Sequence, residues 1–320
     1  MFAGSVRAMP RSTSSDAARN QPPWVGAVVT AFSPEEGLPA AVEAIAAQVD
    51  LVVVVDDGSP AHDAEATDRV LEACARLGAL VVRHDTNRGI GAALNTGLDA
   101  VLTRAPAPRS GRQAFLLTLD QDSTLPAGYV AALVAAAQHA TATGVDVGMV
   151  GPASATGIRS SVRHREGEVV HGKEPIQSGL LLPLDAVRRL GPFDADLFID
   201  GVDTDYYLRA LTNGLAVLVA PEAVLEHRLG RRHEVRLGSR QLSLTVSAEY
   251  RYYYQHRNLV VLLRRHARRE PAWALTAVGK AARHLAVTTV FVPGRARRWR
   301  LVVRGLADGF RGVGGRMPRS

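Results

Sequence analysis

The stretch LVVVVDDGSP, residues 51–60, decides the fold. Leu51–Val55 is five consecutive apolar β-formers with no polar face, as expected of a strand covered on both sides of a parallel sheet. It stops at Asp56-Asp57-Gly58-Ser59-Pro60, a dense turn cluster. Upstream, Val25–Ala31 reads as a first strand. Ser33-Pro34-Glu35-Glu36 then reads as a helix start capped by Ser33, and Leu38, Val42, Ile45 and Val49 follow at near-helical spacing. Downstream the expected order is a helix over about 64–77, a strand over Leu80–Arg83, a helix over about 89–103 and a strand over Ala114–Leu119. This alternation predicts an α/β fold with a mainly parallel central sheet, flanking helices and right-handed crossovers.

The second half is less regular. Val147–Val150 and Gln177–Pro183 read as strands, Leu184–Leu190 as a short helix, and Asp203–Thr212 as a helix stopped by Gly214. Leu215–Val219 reads as a strand running on to Glu226-His227, and Tyr250–Arg269 as a long Arg-rich helix. Residues 1–22 lack a secretory apolar core and read as a disordered tail. A core over 23–235 and a helical, basic extension over 236–320 complete the expected layout.

The chain has 320 residues, 47% hydrophobic and 22% charged, which excludes a fully disordered chain. Its single cysteine, Cys74, excludes an internal disulfide and a Cys-rich zinc site, and reads as a buried helix thiol. The net charge of +7 is uneven: residues 228–320 carry 21 Lys+Arg against four acids, a net of +17, so the rest is acidic. Such asymmetry suggests an anionic partner for the C-terminal third. Residues 272–292 are long enough to span a membrane, but Lys280, Arg283 and His284 sit at the centre. Each Lys or Arg there costs about 2.5–3.5 kcal/mol, so an element lying on an anionic membrane surface fits better, with Trp299 among arginines next to it. The acidic body and the lack of a nucleic-acid-binding motif argue against nucleic acid.

Acidic residues just past strand ends are the central chemical signal, because ligands of open α/β sheets sit outside the carboxyl ends of the strands. Asp56/Asp57, Asp120/Asp122 and the Asp200–Asp205 cluster qualify. Alternate residues of an extended segment face one way, so Asp120 and Asp122 can converge on Mg²⁺ or Mn²⁺. His227 is a candidate further ligand that suits Mn²⁺ better, and no third ligand joins it and His233 into a zinc set. Gly89-Ile90-Gly91 lacks the acid about 20 residues on that a dinucleotide fingerprint needs. The alternative is a helix whose N-terminus, with Arg88, faces phosphate. Arg257, beside four tyrosines over 250–254, is a candidate phosphate fork.

With those residues in place, the chain resembles the family 2 glycosyltransferases of the GT-A fold, and more narrowly the bacterial rhamnosyltransferases of cell-surface polysaccharide assembly. The resemblance rests on VVTAFSP (28–34), VVVVDDGSP (52–60), NRGIGAALNTGL (87–98), LTLDQDSTLP (117–126), QSGLLLP (177–183), LFIDGVDTDYYLRA (197–210), LEHRLG (225–230) and YYYQHRNLVVLLR (252–264). It implies that Thr30, Ala31 and Phe32 line a nucleotide base that Asp56, with Asp57, hydrogen-bonds. It places Arg88, Asn95 and Arg257 near phosphates or donor sugar. Asp120, Gln121 and Asp122 form the DxD segment, with Asp122 and His227 on a Mn²⁺ or Mg²⁺ ion. Asp203 becomes the general base, and Ser178, Gly179 and Asp200 lie on the acceptor side. Tyr206 stands where the rhamnosyl subgroup often has tryptophan.

The implied reaction is metal-dependent, inverting transfer of L-rhamnose from dTDP-L-rhamnose to a cell-surface glycan or lipid-linked acceptor. Galactofuranosyl or mannosyl transfer, or a non-catalytic sugar-nucleotide-binding scaffold, are the alternatives. The implied location is cytoplasmic, peripheral on the inner membrane face. A homodimer through the C-terminal helices stays open, with no heptad register to define it.

Overall fold

The computed structural model describes residues 21–155, 158–227, 232–237, 240–245 and 247–318. The expected tail lies almost wholly outside them. Four strands form the parallel half of the main sheet: β1 (Trp24–Ala31), β2 (Leu51–Asp56), β3 (Leu80–Arg83) and β4 (Ala114–Asp120), in the order β3-β2-β1-β4. The helices between them are α1 (Leu38–Ala46), α2 (Ala64–Arg76) and α3 (Ile90–Arg104). Val52–Val55 are at most 4% exposed, as a strand covered on both faces requires. Cys74 faces the same core, where burial pushes its thiol up to about 11.

The helix start at Ser33 is not observed. Ser33 adopts φ +46, its N–H donates to Ser59 Oγ at 2.7 Å and its Oγ to Asp63 at 3.1 Å. The side chain that would cap α1 instead ties the β1 turn to the β2 turn, and α1 begins at Leu38-Pro39.

Beyond β4 the sheet turns mixed. β5 (Ser123–Thr124), the Ala-rich helix α4 (Tyr129–Ala142), β6 (Val147–Ala155), β7 (Ile158–Arg159), β8 (Val162–Glu166) and β9 (Val169–Gly172) follow. Then come β10 (Leu180–Pro183), α5 (Leu184–Leu190), α6 (Val202–Thr212) and β11 (Ala216–His227). The order continues β4-β10-β6-β11-β9-β8, with β10 antiparallel to both neighbours. The strands β12 (Arg232–Leu237) and β13 (Arg240–Thr245) form a separate antiparallel pair. The mainly parallel expectation thus holds for the first half, while in the second β6 and β11 pair in parallel within otherwise antiparallel neighbours. β10 leaves a turn on the β4 edge, where Gly179 N–H donates to Thr118 O, and so enters the sheet reversed.

Three C-terminal helices, α7 (Arg251–His266), α8 (Pro271–Phe291) and α9 (Arg295–Arg311), finish the chain. Tyr252 and Tyr253 of α7 are fully buried. α9 approaches α7 backbone to backbone: a Cβ built on Gly305 would lie 2.3 Å from Tyr253 O, and one on Gly309 2.7 Å from Arg257 O. Only glycine permits that approach. Arg298 closes the α8–α9 corner by donating to the carbonyls of Thr288 and Pro293, both at 2.9 Å. Among the described residues no helix is long and apolar enough to cross a membrane.

Candidate active site

β2 and β4 lie on opposite sides of β1, so the crossovers diverge at the β1/β4 edge and open a crevice at the strand ends. Thr30 pairs in register with Asp120 there. Gln121 closes the crevice floor: Phe32 N–H donates to its Oε1 at 2.8 Å, and its Nε2 donates to Phe32 O at 3.3 Å. This clamp leaves the Phe32 ring 44% exposed, a platform at the crevice mouth. The Asp120 N–H donates to Ser178 Oγ at 3.1 Å, and Ser178 also bonds Ser123. Gly179 has φ +80, and a Cβ there would lie 2.3 Å from the Tyr129 hydroxyl. The segment Ser178-Gly179 therefore supports the DxD strand end from beneath. β5 pairs with β11 so that His227 stands opposite Ser123, one residue from Asp122. The His227 side chain lies outside the described residues.

The two β2 acids behave differently from a pair of open ligands. Asp56 is fully buried and accepts from Ser59 N–H at 3.2 Å, from the Ser59 hydroxyl and from Arg83 Nε at 3.1 Å. Asp57 accepts from the backbone N–H of Arg88 at 2.9 Å and of Gly89 at 2.7 Å, and contacts His84 Nδ1 at 2.8 Å. Ile90 N–H donates to Phe198 O at 2.7 Å. The first donors of α3 are thus taken by Asp57 and Phe198, which corrects the expectation that this helix N-terminus faces phosphate. The exposed Arg88 side chain is what the turn presents outward.

Two further expectations are corrected. Asn95 is bonded on both sides to the Phe193 backbone, at 2.9 Å and 2.8 Å, and staples α3 to the loop after α5. Arg257 is fully buried: its guanidinium donates to Asn258 Oδ1, Gly315 O, Asp196 O and Leu197 O, and lies over the rings of Tyr253 and Tyr254. Every donor group is committed, so it cannot reach a diphosphate. Arg251, six residues earlier on α7, stands nearer the site's acids. It forms a two-point ion pair with Asp200, and the Asp120 charge acts on it as well.

The loop before α6 holds Phe198 at φ +61 and Asp200 at φ +64, conformations that L residues avoid. Asn258 enforces them by donating to the carbonyls of Leu197, Ile199 and Asp200 at 2.9, 2.8 and 2.6 Å. That strained loop delivers Asp203 into a cavity of about 640 Å³, lined also by Arg163, Lys173, Glu174, Tyr207, Trp273 and Lys280. Burial, with Glu174 close by, pushes the Asp203 carboxyl up to about 6. The Thr204 N–H donates to its Oδ1 at 2.8 Å and fixes its direction. A carboxyl poised near neutrality in a cavity is suited to accept a proton. Glu174, Arg251, Lys173 and Trp273 escape sequence reading, because each sits in an irregular loop or at a helix start with no local motif. One signal was available: the chain's two lysines both line this cavity.

The family model for glycosyl transferase family 2 matches residues 27–188, half of the chain. The chain belongs to glycosyl transferase family 2. Among curated proteins this family 2 chain is similar to the dTDP-rhamnosyl transferase RfbF of Shigella flexneri, 30% identical over 110 residues. That match spans 34% of this chain and 36% of the relative. Among solved structures it is similar to the mannosyltransferase PcManGT from Pyrobaculum calidifontis, in complex with GDP-Man and Mn²⁺, at 17% identity, 92% coverage of each chain and a TM-score of 0.52. It also matches the Mycobacterium tuberculosis glucosyl-3-phosphoglycerate synthase at 17% identity, covering 79% of this chain and 84% of that one, with a TM-score of 0.46. The fold is GT-A, as the resemblance implied: a mixed sheet flanked by helices, with helices at the C-terminal end.

Proposed function

We propose that this chain is an inverting glycosyltransferase that moves L-rhamnose from dTDP-L-rhamnose to a glycan or lipid-linked acceptor. The observation that carries the reading is Asp203, a half-buried carboxyl raised to about 6 that lines a cavity together with Asp200 and Glu174. The donor lies over the β1/β4 crevice, with its base against Thr30–Phe32 and Gln121. Asp56 and Asp57 act one step back, by shaping the turns that meet it. Arg88 and Arg251 face the diphosphate. The acceptor enters the cavity, its hydroxyl bonded to Asp203, and Ser178 and Gly179 hold the floor between the two. Asp203 takes the hydroxyl proton as the oxygen attacks the anomeric carbon from the face opposite the leaving group. One displacement inverts that centre and needs no carboxylate nucleophile.

Asp120 and Asp122 supply hard oxygens at a strand end, a donor set suited to Mn²⁺ or Mg²⁺, and His227 stands opposite Ser123 in the same corner. A cation held there would offset the charge of the leaving diphosphate. The rhamnosyl assignment is supported by the sequence motifs and by the Shigella relative's printed activity. Calorimetric titration with dTDP-rhamnose, UDP-galactofuranose and GDP-mannose, with and without Mn²⁺, tests it. Metal-dependent binding of the dTDP sugar alone is expected. Binding of a UDP or GDP sugar in its place would replace the donor and keep the mechanism, and binding of none would favour a scaffold.

A further inference from the structure

The β8–β9 hairpin carries a second constellation, apart from the strand-end acids. His164 and Glu166 are two residues apart on β8, and alternate residues of a strand share a face. His171 on β9 is the cross-strand partner of His164, so the three side chains stand together. The two imidazoles stack with centroids 4.1 Å apart and planes 11° apart. His171 Nε2 is buried without a hydrogen-bond partner and lies 3.8 Å from Glu166 Oε2. One nitrogen or oxygen from each residue falls within 4.8 Å of the others. A buried imidazole nitrogen with no partner, aimed at a carboxylate, is an unsatisfied acceptor or donor that a native structure has reason to fill.

We propose that His164, Glu166 and His171 bind a zinc-class divalent cation, with the fourth position open to water. Two imidazoles and one carboxylate form a three-ligand zinc set, unlike the all-oxygen pair Asp120/Asp122. In tetrahedral geometry the ligand atoms stand roughly 3.4 Å apart, so closure asks about 1–1.5 Å of approach and a rotation of the His164 ring out of its stack, because an imidazole ligates in its own plane. His164 and Glu166 are exposed and free to swing, whereas His171 is held in the sheet. On the same hairpin and its flanks, Ser161, Arg163 and Lys173 line the Asp203 cavity. An ion bridging β8 to β9 would fix that wall. The inference rests on the hairpin alone and stands or falls independently of the donor sugar.

The full chain, stripped with EDTA and dialysed, is titrated with ZnCl₂ under excess Mg²⁺, and with Co²⁺ followed by visible absorption. One zinc equivalent and the intense bands of four-coordinate Co²⁺ are expected. His164→Gln with Glu166→Gln, both at exposed positions, should weaken zinc by about 100-fold or more, beyond the 10–100-fold loss usual for outer-shell partners. Asp120→Asn with Asp122→Asn, and His227→Ala, should leave the equivalent in place. No zinc equivalent in the folded chain, or one that survives the hairpin substitutions, or one lost with Asp120, Asp122 or His227 instead, overturns the proposal.

Discussion

Asp203 and Arg257 were both expected to touch substrate, and their surroundings separate them. Asp203 stands in a cavity with its carboxyl raised to about 6. As a base it must be ionised, so transfer should rise with pH through about 6 and level off above it, measured as kcat against pH. Asp203→Asn should lower kcat by about 10²–10⁴-fold with the donor Kd little changed. Linkage gives a second readout. The folded pKa lies above the unfolded one, so wild type binds more protons folded than unfolded between about 4 and 6, and loses stability as pH rises through that window. Asp203→Asn should therefore melt at a higher temperature than wild type at pH 8, with the gap closing by about pH 3.5, below the unfolded value. Equal gaps at both would place Asp203 in solvent. Arg257 is different: Arg257→Met orphans the carbonyls of Asp196, Leu197 and Gly315 and should cost about 3–5 kcal/mol in urea unfolding. Arg251→Ala should keep the fold and raise the donor Kd by about 10–100-fold. Sequence reading could rank Arg257 by its tyrosines and its motif, yet whether a guanidinium meets water or carbonyls is set by a loop 60 residues away.

At the scale of elements, legibility follows how much of the signal is local. Leu51–Val55 announces β2 because both its faces are buried, and the first four strands follow from such runs. The element ends on which Asp120 and Asp203 sit are legible for the same reason: the runs that lead to them have clear boundaries. Ser33 misled because its hydroxyl found a partner, Asp63, from the next crossover rather than from its own helix. α4, largely alanine, carries too little apolar periodicity to declare itself, and the reversal of β10 depends on strand neighbours that no local pattern encodes. The α7–α9 packing was likewise hidden, though Gly305 and Gly309 four residues apart are its trace. Gly305→Ala would drive a methyl into Tyr253 O, pushing the helices apart and costing roughly 1–3 kcal/mol. A melting temperature unchanged from wild type would show that α9 does not dock as described.

Across the molecule, apolar and basic groups gather on the C-terminal helices. Leu275 and Val290 of α8 are 79% and 71% exposed, and Trp299, Val303 and Phe310 stand out from α9. Arg295, Arg297 and Arg300 flank them in the C-terminal third that carries the positive excess. Exposed apolar side chains mixed with arginine suit a surface of anionic lipid. The protein should cosediment with phosphatidylglycerol vesicles at low salt, release at high salt, and show a blue shift of tryptophan emission that Trp299→Phe removes. Retention in the supernatant would argue against peripheral membrane attachment.

The stitch between Arg257 and Gly315 also bears on how the protein is made. Gly315 O receives the Arg257 guanidinium, and Gly315 N–H returns to Asp196 O at 2.7 Å, in the loop that leads to Asp203. The ribosome adds Gly315 fifty-eight residues after Arg257. Before then the loop has only its bonds to Arg257 and Asn258, while the parallel half of the sheet is already complete. A nascent chain therefore passes through a stage in which the β1/β4 crevice can assemble before the loop that leads to Asp203 has received its last tie.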